Sequence, residues 1–194
     1  MNINFVSKED VLNYPVIRFE GDVRIINNKK DMIHACSKLS HLNEIGFDTE
    51  TKPSFKKGII HNVCLLQLST NEVAYIFRLN KIGLSSELIS ILSNNSILKI
   101  GIDIKNDIAA LKKIKSFKEK SFVDLNQLAI EKGFKSIGAV KLSIMLLGYR
   151  ISKAHRLSDW ESDQLSENQI NYAATDAWIC LKIIQAFKNR LLFP

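Results

Sequence analysis

Two apolar runs, IHNVCLLQLST (60–70) and VAYIFRL (73–79), flank Asn71-Glu72 and leave the chain few architectures. They read as a β-hairpin whose first arm is apolar enough to be buried, so other elements must cover it. VIRFEGDVRIIN (16–27) alternates well enough for two strands around a Gly-Asp turn, and EIGFDTE (44–50) reads as a short strand. Residues 29–41 have helical spacing at Met32, Ile33, Cys36 and Leu39. LSSELISILSN (84–94) reads as a helix opened by a serine cap with a glutamate three residues on. SILKIGI and SFVDL read as strands, each followed by a helix, the second with Asp124 as its cap and Gly133 as its stop. AVKLSIMLLG and SENQINYAATDAWICLKIIQAFKNRL are amphipathic, the latter capped by Ser166. Early strands followed by alternating helices and strands predict a layered α/β domain with a mixed sheet.

At 194 residues and 46% hydrophobic content, the expectation is one domain spanning 1–194, with 1–15 as an irregular N-terminal extension. No run approaches the roughly 18 apolar residues of a membrane helix, and MNINFVSKED is not a secretory leader. The expected setting is therefore cytoplasmic, with no membrane partner. Cys36, Cys64 and Cys180 lie far apart in apolar surroundings and read as reduced core thiols, and the four histidines have no metal-ligand spacing. The net charge of +7 points to a polyanionic partner. It is clustered at Lys52, Lys56 and Lys57, at Lys112 to Lys120, and at Lys153, His155 and Arg156. Each cluster, taken alone, also reads as a solvated face.

Three acidic stretches stand out. In GFDTET, Asp48 and Glu50 are two apart on a strand and so share a face, about 7 Å apart along the chain. Like charges that close resist ionising together unless something positive lies between them; an ordinary strand end is the alternative. In KIGIDIKNDIAAL, Asp107 sits in the first turn of a helix, where the helix dipole alone would welcome it. In NYAATDA, Tyr172 and Asp176 are four apart on one face of the last helix. A buried carboxylate there needs a cation or a hydrogen bond, and the tyrosine alone would supply the second.

As an ordered set, GFDTET with LLQLST, GIDIKND, FVDLNQLA and MLLGYRISKAHRLSDWESDQLSENQINYAATDA resemble the DnaQ-like 3′–5′ exonucleases. The resemblance is to the branch with four acidic residues and a tyrosine (DEDDy), near the Werner-helicase exonuclease domain and the ribonuclease D group. It runs from about Val16 to about Ala186. The histidine of the sister branch would fall at Asn171.

The resemblance implies a ribonuclease H-like mixed β-sheet flanked by α-helices. It further implies that Asp48, Glu50, Asp107 and Asp176 hold two divalent cations, Mg²⁺ or Mn²⁺, with Tyr172 beside the attacking water. Oxygen-only ligands do suit hard cations. Asp103 is a rival for the second position but lies four residues early, and Asp124, Asp159 and Asp163 read as caps or surface charges. The expected substrate is single-stranded or 3′-ended nucleic acid, DNA or RNA, with Thr51, Lys56, Lys57, Lys153 and Arg156 as candidate contacts. A ribonuclease D protein carries a helical domain after the nuclease and this chain ends at Pro194, so a free-standing nuclease or one with a separate protein partner is expected. The alternative is a nucleic-acid-binding module of the same fold without turnover.

Overall fold

The computed structural model describes residues 4–56 and 58–192. Its chain order is a 3-10 turn at Asp10–Asn13, then β1 (Asp22–Ile26), α1 (Lys29–Leu39), β2 (Glu44–Thr51), β3 (Val63–Ser69), β4 (Val73–Arg78) and α2 (Leu79–Ile82). There follow α3 (Ser86–Leu92), β5 (Leu98–Gly101), α4 (Lys105–Ile114), β6 (Phe122–Asp124), α5 (Leu125–Glu131), α6 (Ala139–Leu147) and α7 (Glu167–Leu192). The strands form one mixed sheet in the order β1-β4-β3-β2-β5-β6. β2, β3 and β4 are antiparallel neighbours, while β1 runs parallel to β4, β5 to β2, and β6 to β5.

Both sheet faces are covered, so β3 is buried along its whole length and is apolar apart from Gln67 and Ser69. Ala173, Ile179 and Ile183 of α7 share a core with Leu142 of α6, Leu125 and Ile100. The opposite core joins Met32 and Leu39 of α1, Leu88 of α3 and Leu111 of α4 to Phe47 and Leu66. No helix among the described residues is long and apolar enough to cross a membrane.

Two local expectations need correction. Residues 16–27 do not make a hairpin. Only Asp22–Ile26 joins the sheet, and it does so parallel to β4. The preceding segment docks elsewhere: the Ile17 amide donates to the Arg150 carbonyl, the Phe19 amide donates to Thr175 Oγ1, and Phe19 packs on Trp178 at 5.7 Å. Burial of Phe19 outweighs a local turn. The cap of α3 is Ser85, whose side chain accepts from the Leu88 amide. Glu87 is thus two residues past the cap, so no capping box forms. The caps at Asp124 and Ser166 are found as expected.

Candidate active site

β2 is the central element of the site. Asp48 and Glu50 project from one face, and α7 crosses that face with Tyr172 and Asp176 turned toward them. The crossing is close because the residues between are small. A methyl group added at Gly46 would meet the Ala177 carbonyl oxygen at 2.0 Å, and α7 presents Ala173, Ala174 and Ala177 at or near this contact. Gly46→Ala is therefore expected to push α7 off β2, costing about 3 kcal/mol or more, the upper end for overpacking. Urea denaturation reads this directly, and wild-type stability would mean that the crossing does not depend on Gly46.

A β-bulge between Glu50 and Thr51 ends the regular pairing with β3 and turns the chain away at the site's edge. On the neighbouring strand Asp48 registers with Gln67, a wholly buried amide with neither nitrogen nor oxygen paired among the described residues. After β5 the chain turns sharply at Asp103, whose backbone is left-handed (φ 59°). Asp124 stabilises this turn by accepting from the amides of Asp103 and Ile104, both at 3.2 Å. The turn launches α4 with Asp107 in its first turn, where the Thr49 hydroxyl donates to Asp107 Oδ1.

Carboxylate oxygens of Asp48, Glu50 and Asp176 all lie within 4.8 Å of one another. Asp107 stands outside that triad, half-buried and tethered through Thr49. Glu50, Asp176 and Tyr172 are buried. The open side is a cleft of about 410 Å³ lined by Asp48, Glu50, Asp103, Lys153, Arg156 and Tyr172, among others.

Loss of water contact, then the charges of Asp176 and Asp107, hold the Asp48 carboxyl well above the usual range. Burial first, and Asp48 second, push Glu50 up to about 10. Burial also raises Asp176 and Asp107, against the lowering effects of Lys153 and Thr49 respectively. The Tyr172 hydroxyl is pushed well up, by burial and then by the charge of Asp176, so it remains a hydrogen-bond donor at neutral pH.

This charge surplus predicts a pH dependence. In the unfolded chain a glutamate ionises near pH 4. Between there and about pH 10 the folded, metal-free protein keeps a proton on Glu50 that the unfolded chain has lost. Its stability therefore falls as pH rises through that window. In EDTA the melting temperature is expected to be lower at about pH 8 than at about pH 5, and a flat profile would contradict the clustering.

Among the described residues of the three basic clusters, only Lys153 and Arg156 line the cleft. Lys153 does so unexpectedly, with Nζ 2.8 Å from Asp176 Oδ2. The segment that carries it is anchored by Trp160, fully buried and 5.8 Å from the Tyr172 ring, and by Arg78, which donates to the carbonyls of Ser162 and Asp163. Lys52 adds an ion pair with Asp159 at 2.8 Å, and Asp163 pairs with Lys81. Lys56 and Thr51 are exposed beyond the bulge, and Lys57 lies outside the described residues. Gly46 and Thr49 went unnoticed in the sequence, although both lie inside GFDTET.

The site fits a divalent cation. Its donors are all oxygen, and Asp176 Oδ1 is buried with no hydrogen-bond partner.

Comparison with known proteins bears on the family and the fold. The family described as 3′–5′ exonuclease matches residues 23–192. The chain is 32% identical over 190 residues to the mouse bifunctional 3′–5′ exonuclease/ATP-dependent helicase WRN, covering 91% of this chain but only 13% of that protein. It is 28% identical over 196 residues to an Arabidopsis thaliana 3′–5′ exonuclease, covering 91% of this chain and 67% of that one. Among solved structures, the Aedes aegypti Nibbler EXO domain superposes with a TM-score of 0.84 at 23% identity, over 91% of this chain and 93% of that chain. The mixed sheet with flanking helices is thus the ribonuclease H-like fold.

Proposed function

Because this chain belongs to the 3′–5′ exonuclease family, we propose that it hydrolyses single-stranded or 3′-ended nucleic acid, DNA or RNA, from the 3′ end to nucleoside monophosphates. The observation that carries the reading is the convergence of Asp48, Glu50 and Asp176 within 4.8 Å around an unpaired, buried carboxylate oxygen. A binding module has no need to hold these charges together against their repulsion.

Asp48, Glu50 and Asp176, with Asp107 tethered beside them through Thr49, would hold two Mg²⁺ or Mn²⁺ ions, the DEDDy arrangement. Bound there, the ions supply Lewis-acid stabilisation of the phosphodiester's developing charge and ease the deprotonation of water. Asp48, Glu50 and Asp176 are rigidly presented, two by a sheet strand and one by a helix packed directly on it. Tyr172 keeps its proton and donates a hydrogen bond from the cleft wall, orienting the water that attacks. Asn171 at the position of the sister branch's histidine supports the same assignment. Arg156 and Lys153 face the cleft from the side open to the nucleic acid and would meet its phosphates.

The decisive assay is a 5′-labelled single strand incubated with the protein and Mg²⁺ or Mn²⁺. A ladder shortening from the 3′ end is expected, and EDTA should stop it. Binding that survives EDTA with no shortening would assign the chain to the binding-module alternative.

The basic residues have a separate test. Replacing Lys56 and Arg156 by Ala is expected to weaken strand binding and to flatten its dependence on salt by up to about 1.4 units of slope. Each phosphate contact releases roughly one counterion, about 0.7 units per contact on a single strand. If affinity and slope both stay at wild-type values, these side chains are solvated surface.

A further inference from the structure

Lys153 is placed as a bound cation would be. Its side chain is 38% exposed, whereas the Asp176 side chain it grips is 7% exposed. Nζ lies 2.8 Å from Asp176 Oδ2 and 3.5 Å from the Tyr172 hydroxyl, and 5.3 Å from the centroid of the Tyr172 ring. The second oxygen of the same carboxylate, Oδ1, is buried and unpaired. Carboxylate oxygens of Asp48 and Glu50 lie within 4.8 Å of Asp176 and of each other, so three carboxylates face one ammonium. The charge of Lys153 bears on Asp48, Glu50 and Asp176 alike.

A divalent cation held by Asp176 would come up against that ammonium, and the two repel. Lys153 can yield without disturbing the fold. Its stem is long and flexible, and the segment it stands on is anchored separately by Trp160 and Arg78. Resting on the reading of this cleft as a metal centre, we propose that Lys153 is the resident counter-ion of Asp176, which an incoming divalent cation must displace. It is a positioning residue: it keeps the metal-free carboxylates together and sets how tightly metal is held. Once displaced, the ammonium remains tethered at the cleft rim beside Arg156, where a backbone phosphate of the substrate is a fitting anion.

Calorimetric titration of the full chain with Mn²⁺ tests this without any turnover. Lys153→Met removes the charge and keeps the stem, and is expected to bind Mn²⁺ about tenfold tighter than wild type, the scale on which groups around metal ligands move affinity. Lys153→Gln should follow it, and serves if the methionine variant folds poorly. Lys153→Arg keeps the charge and should stay within about threefold of wild type. Unchanged or weaker Mn²⁺ binding in both neutral variants overturns the proposal. Asp48→Asn separates the two layers of the argument. If wild-type Mn²⁺ binding does not depend on Asp48, the metal-centre reading falls and this proposal falls with it. If it does depend on Asp48 but ignores the charge at 153, only the proposal falls.

Discussion

Asp48→Asn is expected to stop turnover while making the metal-free protein more stable. Asp48 interacts with all three of the other acidic residues: its own carboxyl is raised by Asp176 and Asp107, and it in turn raises Glu50. An amide of the same shape removes one of these mutually repelling charges, so the melting temperature in EDTA should rise. In the presence of Mg²⁺ or Mn²⁺ the order should reverse. Wild type gains stability by binding the ion in its folded state only, and the variant loses most of that gain. The rate should fall by more than the ~10²–10⁴-fold of a single positioned proton-transfer group, because the ligand set itself is broken. Thermal melts with and without metal, together with the end-labelled strand assay, read all three effects. A variant that keeps the full metal-induced shift would put the ions elsewhere.

Tyr172→Phe should do the opposite: leave the metal response intact and remove the chemistry. The ring packs between Trp160 at 5.8 Å and His155 at 6.4 Å, and phenylalanine preserves those contacts. Only the hydroxyl is lost, and turnover should drop by about 10²–10⁴-fold if that hydroxyl orients the attacking water. If instead it only satisfies Asp176 and Lys153, its loss should cost about 1–3 kcal/mol of stability with the rate nearly unchanged. Single-turnover rate and melting temperature on one preparation decide between the two. A destabilised protein working at full speed would remove Tyr172 from the reaction.

Much of the molecule was legible in the amino-acid sequence, for reasons that are local. The β3–β4 hairpin followed from two apolar runs with a two-residue break, and α7 from its spacing and its Ser166 cap. Asp48 with Glu50, and Tyr172 with Asp176, were paired by nothing more than the periods of a strand and a helix. What bonding distance separates the two pairs is another matter. Their meeting within 4.8 Å rests on a helix lying against a strand more than a hundred residues earlier, over a glycine with no room for a methyl group. Periodicity says which face a side chain occupies and is silent about which face it meets.

The basic residues show the same division. Net charge and clustering pointed to a polyanion, since those are sums over the chain. Lys153 and Arg156 look alike in sequence to Lys52 and Lys56, yet Lys153 pairs with Asp176 inside the cleft while Lys52 pairs with Asp159 outside it. An ammonium is held by whatever carboxylate the fold brings near, and that is decided by contacts far apart in the chain. Likewise residues 16–19 carried a convincing strand pattern, but Phe19 found Trp178 and the segment left the sheet. The sequence by itself determined most of the elements, their buried faces and the chemical character of the site. The tertiary structure alone decided which charges confront each other, because Coulomb energy and burial depend on distance through space and not along the chain.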